Sequence, residues 1–400
     1  MSLNPADFSA LVAADLSSLA EAQLLRARRM VTPVSATRVR IGDREYVNFA
    51  SNDYLGLTHH PRLIATAAAS VRRDGVGSGA AALITGYSDA HARAEATIAR
   101  WKGTQDAVLL PSGYQANQAL IQTLVAIGQR AEGGVRFLID KLAHASLLDA
   151  VRGGSAAFRV FPHNRLAKVE RLLADAPTGQ LQVVVTESIF SMDGDAGDLM
   201  GFVELKRNHP FFLVVDEAHG SGVYGPAGSG YACEIGVQSN VDASVVTLSK
   251  AIGCVGGVIC GSKDFCGAVV NHGRAYVFTT AVPPWAAVTA SEAIAVMRDE
   301  PWRQERVRAL AGRVRAAARS MGFELPPGDS PIVPIILGES ASALSAAESL
   351  ARAGLLVVAV RPPTVAKGTS RLRVTLSAAH TDGEIDQLLS ELGALKRNVK

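Results

Sequence analysis

The pattern of hydrophobic positions between about residue 101 and residue 285 alternates between short apolar runs and longer amphipathic stretches. Each run is continuously apolar and is followed by a turn, which is typical of a strand buried on both faces. We predict strands at Ala107–Leu110, Arg136–Asp140, Ala157–Phe161, Leu181–Thr186, Phe211–Asp216, Ser244–Leu248 and Gly257–Cys260. Strands that alternate with helices form a mostly parallel sheet with helices on both faces, so the pattern predicts an α/β protein.

The chain on either side of this region has different patterns. Residues from about Asp7 to Met30 predict an amphipathic helix, and Arg38 to Phe49 predicts a hairpin. After Ala281–Pro284 the pattern predicts a smaller α/β unit, whose last helix begins with the capping box Thr381-x-x-Glu384. Its predicted strands are Ile332–Leu337, Leu355–Val360 and Arg371–Thr375. We therefore divide the chain into an amino-terminal helix and hairpin segment (1–50), a large domain (51–285) and a small carboxyl-terminal domain (286–400).

Composition narrows the class of protein. Of the 400 residues 48% are hydrophobic and 19% are charged, with a net charge of +3, as in an ordinary globular protein with a large core. The chain has no basic run with interleaved aromatic residues, which argues against nucleic-acid binding. Its start lacks the pattern of a signal peptide, and no apolar run is long enough to span a bilayer. We expect a cytoplasmic protein that does not associate with membranes.

The four cysteines, Cys233, Cys254, Cys260 and Cys266, form no Cys-x-x-Cys pair. We expect reduced and mostly buried thiols, because a chain of this size needs no disulfides to stabilise its core. Their spacing gives little support to a metal site, and we expect none.

A lysine follows the strand predicted at Ser244–Leu248, in the sequence Thr247-Leu248-Ser249-Lys250. An amine so close to a buried strand is costly to keep charged, so its pKa should fall and the free amine should be favoured. A free amine can form a Schiff base with an aldehyde such as pyridoxal phosphate. The alternative is a lysine that extends from a strand end towards water.

Other reactive side chains also follow predicted strands, where ligands bind in parallel α/β sheets. Ser112-Gly113-Tyr114 separates a strand from a helix, and the helix N-terminus can bind a phosphate, although such turns are common. His144 precedes a predicted helix, so it either stacks on a planar ring or caps that helix. Glu187 to Asp195 follows a strand and is rich in hydroxyl and carboxylate groups, which turn chemistry alone also explains.

Asp216 and His219 lie in the sequence Asp216-Glu217-Ala218-His219-Gly220, directly after an apolar strand. A carboxylate in that position is unfavourable unless it meets a cation, and a protonated pyridinium nitrogen is such a cation. His219 would then lie near the ring oxygen or the Schiff base. The alternatives are a metal pair or a helix cap, and the sequence offers no third ligand with metal spacing.

These pieces, in this order, resemble the α-oxoamine synthases, which are pyridoxal-phosphate enzymes of the aspartate-aminotransferase fold (fold type I). The resemblance extends from about Arg26 to the carboxyl terminus. It is carried by Asn52-Asp53-Tyr54-Leu55-Gly56-Leu57, His144-Ala145-Ser146-Leu147-Leu148, Ser191-Met192-Asp193-Gly194-Asp195, Asp216-Glu217-Ala218-His219-Gly220 and Thr247-Leu248-Ser249-Lys250. It implies pyridoxal 5′-phosphate as the cofactor.

The resemblance also implies roles for individual residues. Lys250 would form the Schiff base, Asp216 would pair with the pyridine nitrogen and His219 would lie near the ring oxygen, with His144 stacked on the ring as the fourth catalytic residue. The implied cofactor-binding set is Ser112, Gly113, Tyr114, His144, Ser191, Asp216, His219, Thr247, Lys250, Thr279 and Thr280. The implied substrate-binding set is Arg26, Asn52, His144, Thr364 and Arg373. Thr279 and Thr280 resemble a segment that reaches the phosphate of the other subunit, which implies a homodimer with shared active sites.

Two stretches, Arg361-Pro362-Pro363-Thr364-Val365 and Gly86-Tyr87-Ser88-x-x-His91, look most like family members that condense L-alanine with pimeloyl-CoA or its acyl-carrier-protein thioester. Ala80-Ala81-Ala82 departs from the family, whose members often have Gly-Ser and a polar or basic residue there, and Ala366 replaces a common proline. The alternatives are a member that uses glycine or serine with another acyl-CoA, and a catalytically silent homologue. A catalytically silent homologue would be expected to lack Lys250 or Asp216, and both residues are present.

Overall fold

A seven-stranded sheet lies at the centre of the computed structural model, which describes residues 4–22 and 24–398. Its strands are β4 (Asp106–Leu110), β5 (Val135–Asp140), β6 (Ala157–Phe161), β7 (Leu181–Glu187), β8 (Phe212–Asp216), β9 (Ala243–Thr247) and β10 (Gly257–Gly261). Their order across the sheet is β4-β10-β9-β8-β7-β5-β6. Each of the seven strands predicted between residues 101 and 285 is present, displaced by no more than a residue or two. The prediction of an α/β fold with a mostly parallel central sheet is confirmed.

One strand of this sheet, β10, runs antiparallel to both of its neighbours, β4 and β9. The other pairs, from β9 through β8, β7 and β5 to β6, are parallel. The connection from β9 to β10, residues 248–256, is shorter than the dozen or so residues that a parallel crossover needs, so β10 can only turn back beside β9.

Helices cover the chain's sheets and connect its strands. They are α1 (Pro5–Glu21), α2 (Pro61–Asp74), α3 (Asp89–Lys102), α4 (Gly113–Gly128), α5 (Ala145–Gly153), α6 (Leu166–Ala174), α7 (Leu199–Asn208), α8 (Tyr231–Glu234), α9 (Lys263–His272), α10 (Arg274–Val277), α11 (Pro284–Asp299), α12 (Trp302–Ser320), α13 (Ser340–Arg352) and α14 (Asp382–Asn398). Among the described residues, no helix is both long enough and apolar enough to cross a membrane.

Both faces of the central sheet are buried, as the continuous apolar runs require. On β7, Val183 and Val185 pack with Leu120 of α4 on one face, whereas Val184 packs with Phe202 of α7 on the other. Because side chains alternate along a strand, each run supplies both cores at once. Each fully buried side chain of this kind contributes about 1.5–3 kcal/mol to stability.

The remaining strands form two smaller sheets. These strands are β1 (Thr32–Pro33), β2 (Arg38–Ile41), β3 (Arg44–Asn48), β11 (Ile332–Gly338), β12 (Leu355–Leu356), β13 (Val358–Val360) and β14 (Ser370–Thr375). One sheet has the order β1-β2-β3-β12 and the other has the order β11-β14-β13. The amino-terminal hairpin therefore pairs with a strand from the far end of the chain, through β3 and β12 in parallel.

The carboxyl-terminal unit follows the predicted order of strands and helices. α12 and α13 contact the β11-β14-β13 sheet, and α14 packs against both helices. The predicted capping box of α14 is present, since the Thr381 N–H donates to Glu384 Oε2 and the Glu384 N–H donates to Thr381 Oγ1. The division of the chain at residues 50 and 285 stays a prediction.

Two predicted elements differ from the structure. The amino-terminal helix ends at Glu21 rather than near Met30, because the N–H groups of Leu24 and Leu25 both turn back to the carbonyl of Leu19 and the following segment is extended. The strand predicted at Leu355–Val360 is interrupted at Val357, since β12 pairs with β3 whereas β13 pairs with β14.

Candidate active site

Two adjoining cavities lie at the carboxyl ends of the parallel strands. One has a volume of about 790 Å³ and the other of about 190 Å³. His144, His219 and Lys250 line both of them, so the two spaces meet at the amine of Lys250. The larger cavity also contains the predicted residues Arg26, Asn52, Ser191, Thr364 and Arg373. The smaller one contains Ser112, Gly113, Tyr114, Asp216 and Thr247.

Lys250 follows β9 and is half-buried where the cavities meet. Its Nζ lies 2.8 Å from Nε2 of His219. Burial lowers the pKa of Lys250 to about 8, against the opposing negative charges of Asp216 and Glu187. A substantial fraction of the amine is therefore uncharged near neutral pH, as the sequence predicted, and the amine is a nucleophile and base.

His219 connects Lys250 to a buried tyrosine. Its Nδ1 lies 2.5 Å from the hydroxyl of Tyr54. Burial and the positive charges of Lys250 and Arg373 hold the pKa of His219 well below its usual value, so the imidazole is neutral. Burial also raises the pKa of Tyr54 to about 12, which keeps the phenol protonated. The three side chains form a line of hydrogen-bonding groups that fixes the direction of the Lys250 amine.

Asp216 ends β8 and is buried beside a second carboxylate. It accepts hydrogen bonds from Asn117 Nδ2 and from the Ala218 N–H, both at 2.9 Å. Neither donor is a cation, and within residues 4–22 and 24–398 no ion pair includes Asp216. Glu187, its neighbour across the β7–β8 ladder, has a pKa raised well above its usual value by burial and by the charge of Asp216. A buried carboxylate of this kind favours a cationic group on a ligand.

The N-terminus of α4 forms the opposite end of the smaller cavity. A Cβ placed on Gly113 would lie 2.3 Å from Thr247 Oγ1. Only glycine, which has no Cβ, allows the backbone at this position to lie so close to the threonine side chain. Ser112 caps the helix, since its Oγ accepts from the Gln115 N–H at 3.1 Å. Tyr114 is half exposed and its hydroxyl donates to Asp149. Free N–H groups at such a terminus bind anions.

Arg373 extends from β14 into the larger cavity and is itself buried. Its Nε donates to the carbonyl of Ser191 at 2.7 Å, and its Nη atoms donate to Asn52 Oδ1 at 3.3 Å and to Thr375 Oγ1 at 3.0 Å. These acceptors are all neutral. A guanidinium that is held rigidly by neutral partners is ready to bind a carboxylate in a fixed orientation.

His144 has the capping role, one of the two that the sequence left open, and its stacking on a cofactor ring stays a prediction. The Nδ1 atom of His144 accepts a hydrogen bond from the Ser146 N–H at the start of α5. The ring of His144 also lines both cavities. Asn117 donates to Ser146 Oγ, so the Ser146 hydroxyl donates to Nδ1 and the proton of His144 lies on Nε2. Burial lowers the pKa of His144, which keeps the ring neutral.

Thr279 and Thr280 line neither cavity of the described chain. Thr279 Oγ1 accepts from Gln115 Nε2 at 3.3 Å, and Thr280 forms an isolated bridge with Ala81. Their contribution to the site of a second subunit stays a prediction. The bridge places them directly beside Ala80-Ala81-Ala82, the segment that departs from the family pattern.

The structure adds residues that the sequence did not assign to the site. Tyr54, Asn117 and Glu187 all contact predicted site residues, and Leu16, Leu19, Leu24 and Leu25 form an apolar wall of the larger cavity. A signal existed for Asn117, which lies four positions after Gly113 and so on the same face of α4. Tyr54 lies in one of the motifs that carry the family resemblance, but nothing in the sequence pattern indicated its contact with His219, which is 165 positions away.

The family model for class I and II aminotransferases matches residues 44–392. The chain belongs to this family. The 8-amino-7-oxononanoate synthase of Anaeromyxobacter dehalogenans is 41% identical over 384 residues, which cover 96% of this chain and 95% of the relative. The enzyme of the same name from Alkalilimnicola ehrlichii is 38% identical over 393 residues, which cover 98% and 99%.

Solved structures also resemble this chain over most of its length. The Sphingomonas wittichii serine palmitoyltransferase has a TM-score of 0.90 and 29% identity and covers 99% of both chains. The 8-amino-7-oxononanoate synthase of Francisella tularensis has a TM-score of 0.75 and 26% identity, over 88% of this chain and 98% of that one. The predicted fold, that of the fold type I pyridoxal-phosphate transferases, is confirmed.

Proposed function

We propose that this protein is a pyridoxal 5′-phosphate-dependent 8-amino-7-oxononanoate synthase of biotin biosynthesis. It would condense L-alanine with pimeloyl-CoA or pimeloyl-acyl carrier protein, and release CO2 and the free thiol carrier. One observation carries the proposal: an amine with a lowered pKa lies where a small cavity and a larger one meet, in a chain 38–41% identical to enzymes of that name.

The residues of the smaller cavity fit the cofactor at both ends. Asp216 is a buried carboxylate with neutral hydrogen-bond donors and matches a protonated pyridine nitrogen. Gly113 and Thr247 at the N-terminus of α4 leave room that a Cβ would fill and match a phosphate. Lys250 supplies an amine for the aldehyde, and His144 offers a flat, neutral ring beside it.

Pyridoxal phosphate, when bound, withdraws electrons from the α-carbon of an amino acid. Lys250 Nζ would take the proton from that carbon and return one later, because its amine is uncharged near neutral pH and is held by His219. Asp216 would keep the pyridine nitrogen protonated. Arg373 would orient the amino-acid carboxylate, with Asn52 fixing the guanidinium.

The larger cavity would receive the acyl thioester. Leu16, Leu19, Leu24 and Leu25 line it and match the methylene chain of a pimeloyl group, and Arg26 provides a positive charge for the terminal carboxylate. Thr364, beside Pro362-Pro363, lines the same space. We propose these residues as the acyl-binding set.

Thiol release from pimeloyl-CoA, from pimeloyl-acyl carrier protein and from a long-chain acyl-CoA tests the function, with L-alanine, glycine or L-serine as the acceptor for each. We expect release with alanine, one CO2 per thiol, and little release with glycine. Release only with serine and a long-chain acyl-CoA would establish the second candidate, which the high TM-score to serine palmitoyltransferase favours. No release with any acceptor would contradict both.

Replacing Gly113 with alanine should weaken cofactor binding about tenfold or more, since the added methyl group would collide with Thr247 Oγ1 in the phosphate-binding end. Titration with pyridoxal phosphate, followed by visible absorbance, measures the dissociation constant. Gly153→Ala is the matched control, because a Cβ at Gly153 meets no atom within 4 Å. Equal affinities for the two variants would show that the phosphate binds elsewhere.

We also propose that the active form is a homodimer, as the resemblance implies. Phe278, which precedes Thr279, is 73% exposed and Ile84 is 76% exposed, and these side chains lie in segments joined by the Ala81–Thr280 bridge. Sedimentation equilibrium would give the oligomeric state. The cytoplasmic location stays a prediction.

A further inference from the structure

His163 lies between two carboxylates, behind the loops that carry His144 and Ser191. It follows β6, and its Nδ1 is 3.1 Å from Asp140 Oδ1 while its Nε2 is 2.8 Å from Asp195 Oδ2. The ring packs edge-on against Phe190, with centroids 4.3 Å apart. The side chain is 22% exposed and lines neither active-site cavity.

The geometry requires that His163 carry a positive charge. Each ring nitrogen faces a carboxylate, and a carboxylate only accepts, so an imidazolium satisfies both contacts by donating from each nitrogen. Nδ2 of Asn164 also lies 3.2 Å from Nε2, but the carboxylate of Asp195 is closer, at 2.8 Å. Burial alone would lower the pKa of His163, but hydrogen bonds and charges from Asp140 and Asp195 outweigh burial and raise it to about 10. Two further titratable groups interact with the carboxylates. Arg315 of α12 interacts with Asp195, and Glu187 of β7, whose pKa is raised well above its usual value, interacts with Asp140.

The two carboxylates belong to different loops of the active site. Asp140 ends β5 and begins the segment that reaches His144, and Asp195 ends the loop that begins at Ser191. Asn164 strengthens the same connection, since its N–H donates to Asp140 Oδ2 at 3.1 Å and its Nδ2 donates to the carbonyl of Ala196 at 3.0 Å. His163 and Asn164 therefore tie the two loops together from outside the cavities.

We propose that His163 is a positioning residue that, as an imidazolium between Asp140 and Asp195, fixes the separation of the loop that carries His144, which lines both cavities, and the loop that carries Ser191, which lines the larger one. The proposal rests on the proposed cofactor site. It does not depend on which amino acid or acyl group is the substrate.

The test replaces His163 with glutamine, which fills similar space but cannot supply two cationic donors in opposite directions. We expect the dissociation constant of pyridoxal phosphate at pH 7 to rise about tenfold, a loss similar to that seen when a residue that orients a metal ligand is replaced. The visible circular dichroism of the bound cofactor should change as well, because the orientations of His144 and Ser191 change. His209→Gln is the matched control, since His209 lies at the end of α7, outside both cavities.

The pH dependence of cofactor binding shows whether the charge of His163 or the shape of its ring is responsible for the effect. Because the pKa of His163 in the folded protein is raised to about 10, its positive charge is retained through neutral pH and is lost as pH rises through about 10. The ratio of the dissociation constants, variant over wild type, should therefore be constant from pH 6.5 to pH 8.5 and should fall towards one above pH 10. Taking the ratio removes the titration of Lys250, which both proteins share.

Three results would overturn the proposal. They are a ratio near one at pH 7, a ratio that does not change up to pH 11, and a lowered melting temperature with unchanged cofactor affinity and circular dichroism. In the last case His163 only stabilises the fold. Wild-type protein that binds no pyridoxal phosphate would instead refute the proposed function, so the two failures are distinguishable.

Discussion

Replacing Lys250 with alanine is expected to reduce kcat by at least about 10⁴-fold, the upper range for the loss of a general base. Lys250 is the amine between the two cavities, and its pKa of about 8 leaves part of it free to accept a proton near neutral pH. His219, at 2.8 Å, orients the amine, but its pKa is held well below its usual value, so it is too weak a base to replace Lys250. Thiol release from the acyl-CoA measures the loss.

The matched control is Lys263→Ala, which removes an exposed lysine at the start of α9. It should retain wild-type turnover, and both variants should have wild-type far-ultraviolet circular dichroism. Turnover by Lys250→Ala within tenfold of wild type would exclude Lys250 as the proton-transferring group.

The lowered pKa of Lys250 can be measured without turnover. Acetic anhydride should modify Lys250 in the cofactor-free protein with a midpoint near pH 8, below the value of about 10.4 that is usual for a lysine side chain in a model peptide. Mass spectrometry of the peptides, at a series of pH values, gives the midpoint for each lysine. A midpoint for Lys250 equal to that of Lys263 would show that burial does not perturb this amine.

Replacing Asp216 with asparagine should reduce kcat by about 10²–10³-fold, a loss typical of removing one electrostatic contact to the reacting system. The variant loses the negative charge that would keep the pyridine nitrogen protonated. The shape and the acceptor for the Ala218 N–H remain, and the unpartnered Oδ1 of Asn117 can turn to accept the new amide. The fold should therefore be retained.

Cofactor-free Asp216→Asn protein should melt at or above the wild-type temperature, because it no longer buries a carboxylate beside Glu187 without a cationic partner. Differential scanning calorimetry of both cofactor-free proteins tests this, and Asp264→Asn, at an exposed position of α9, controls for net charge. A large decrease in melting temperature for Asp216→Asn would mean that Asp216 stabilises the fold instead of serving the cofactor.

Local sequence predicted most strands of the fold because the apolar runs are continuous and the sheet is buried on both faces. The antiparallel direction of β10 was not predicted, since the residues Gly257 to Gly261 suit a parallel or an antiparallel strand. The direction follows only from the short connection between β9 and β10. The end of α1 was also missed. No glycine or proline follows Glu21 closely, and Leu24, Leu25 and Arg26, which lie beyond the end of the helix, line the larger cavity.

The sequence predicted those site residues that come directly after an apolar strand. Lys250 and Asp216 follow apolar strands, and the expected loss of charge on the lysine agrees with its lowered pKa. The partners of these residues were not predictable in the same way. Tyr54 and Glu187 reach the site through pairings between distant segments, which periodicity along the chain does not encode.

The pairing of β3 with β12 has a consequence for the order in which the protein folds during synthesis. The amino-terminal hairpin leaves the ribosome early, yet its partner strand, Leu355–Leu356, is made only after almost nine-tenths of the chain. Contacts between such distant residues form late and slowly. The edge of β3 that pairs with β12 therefore stays unpaired through most of translation. An unpaired strand edge is where a nascent chain would most readily bind a chaperone or pair with a neighbouring nascent chain.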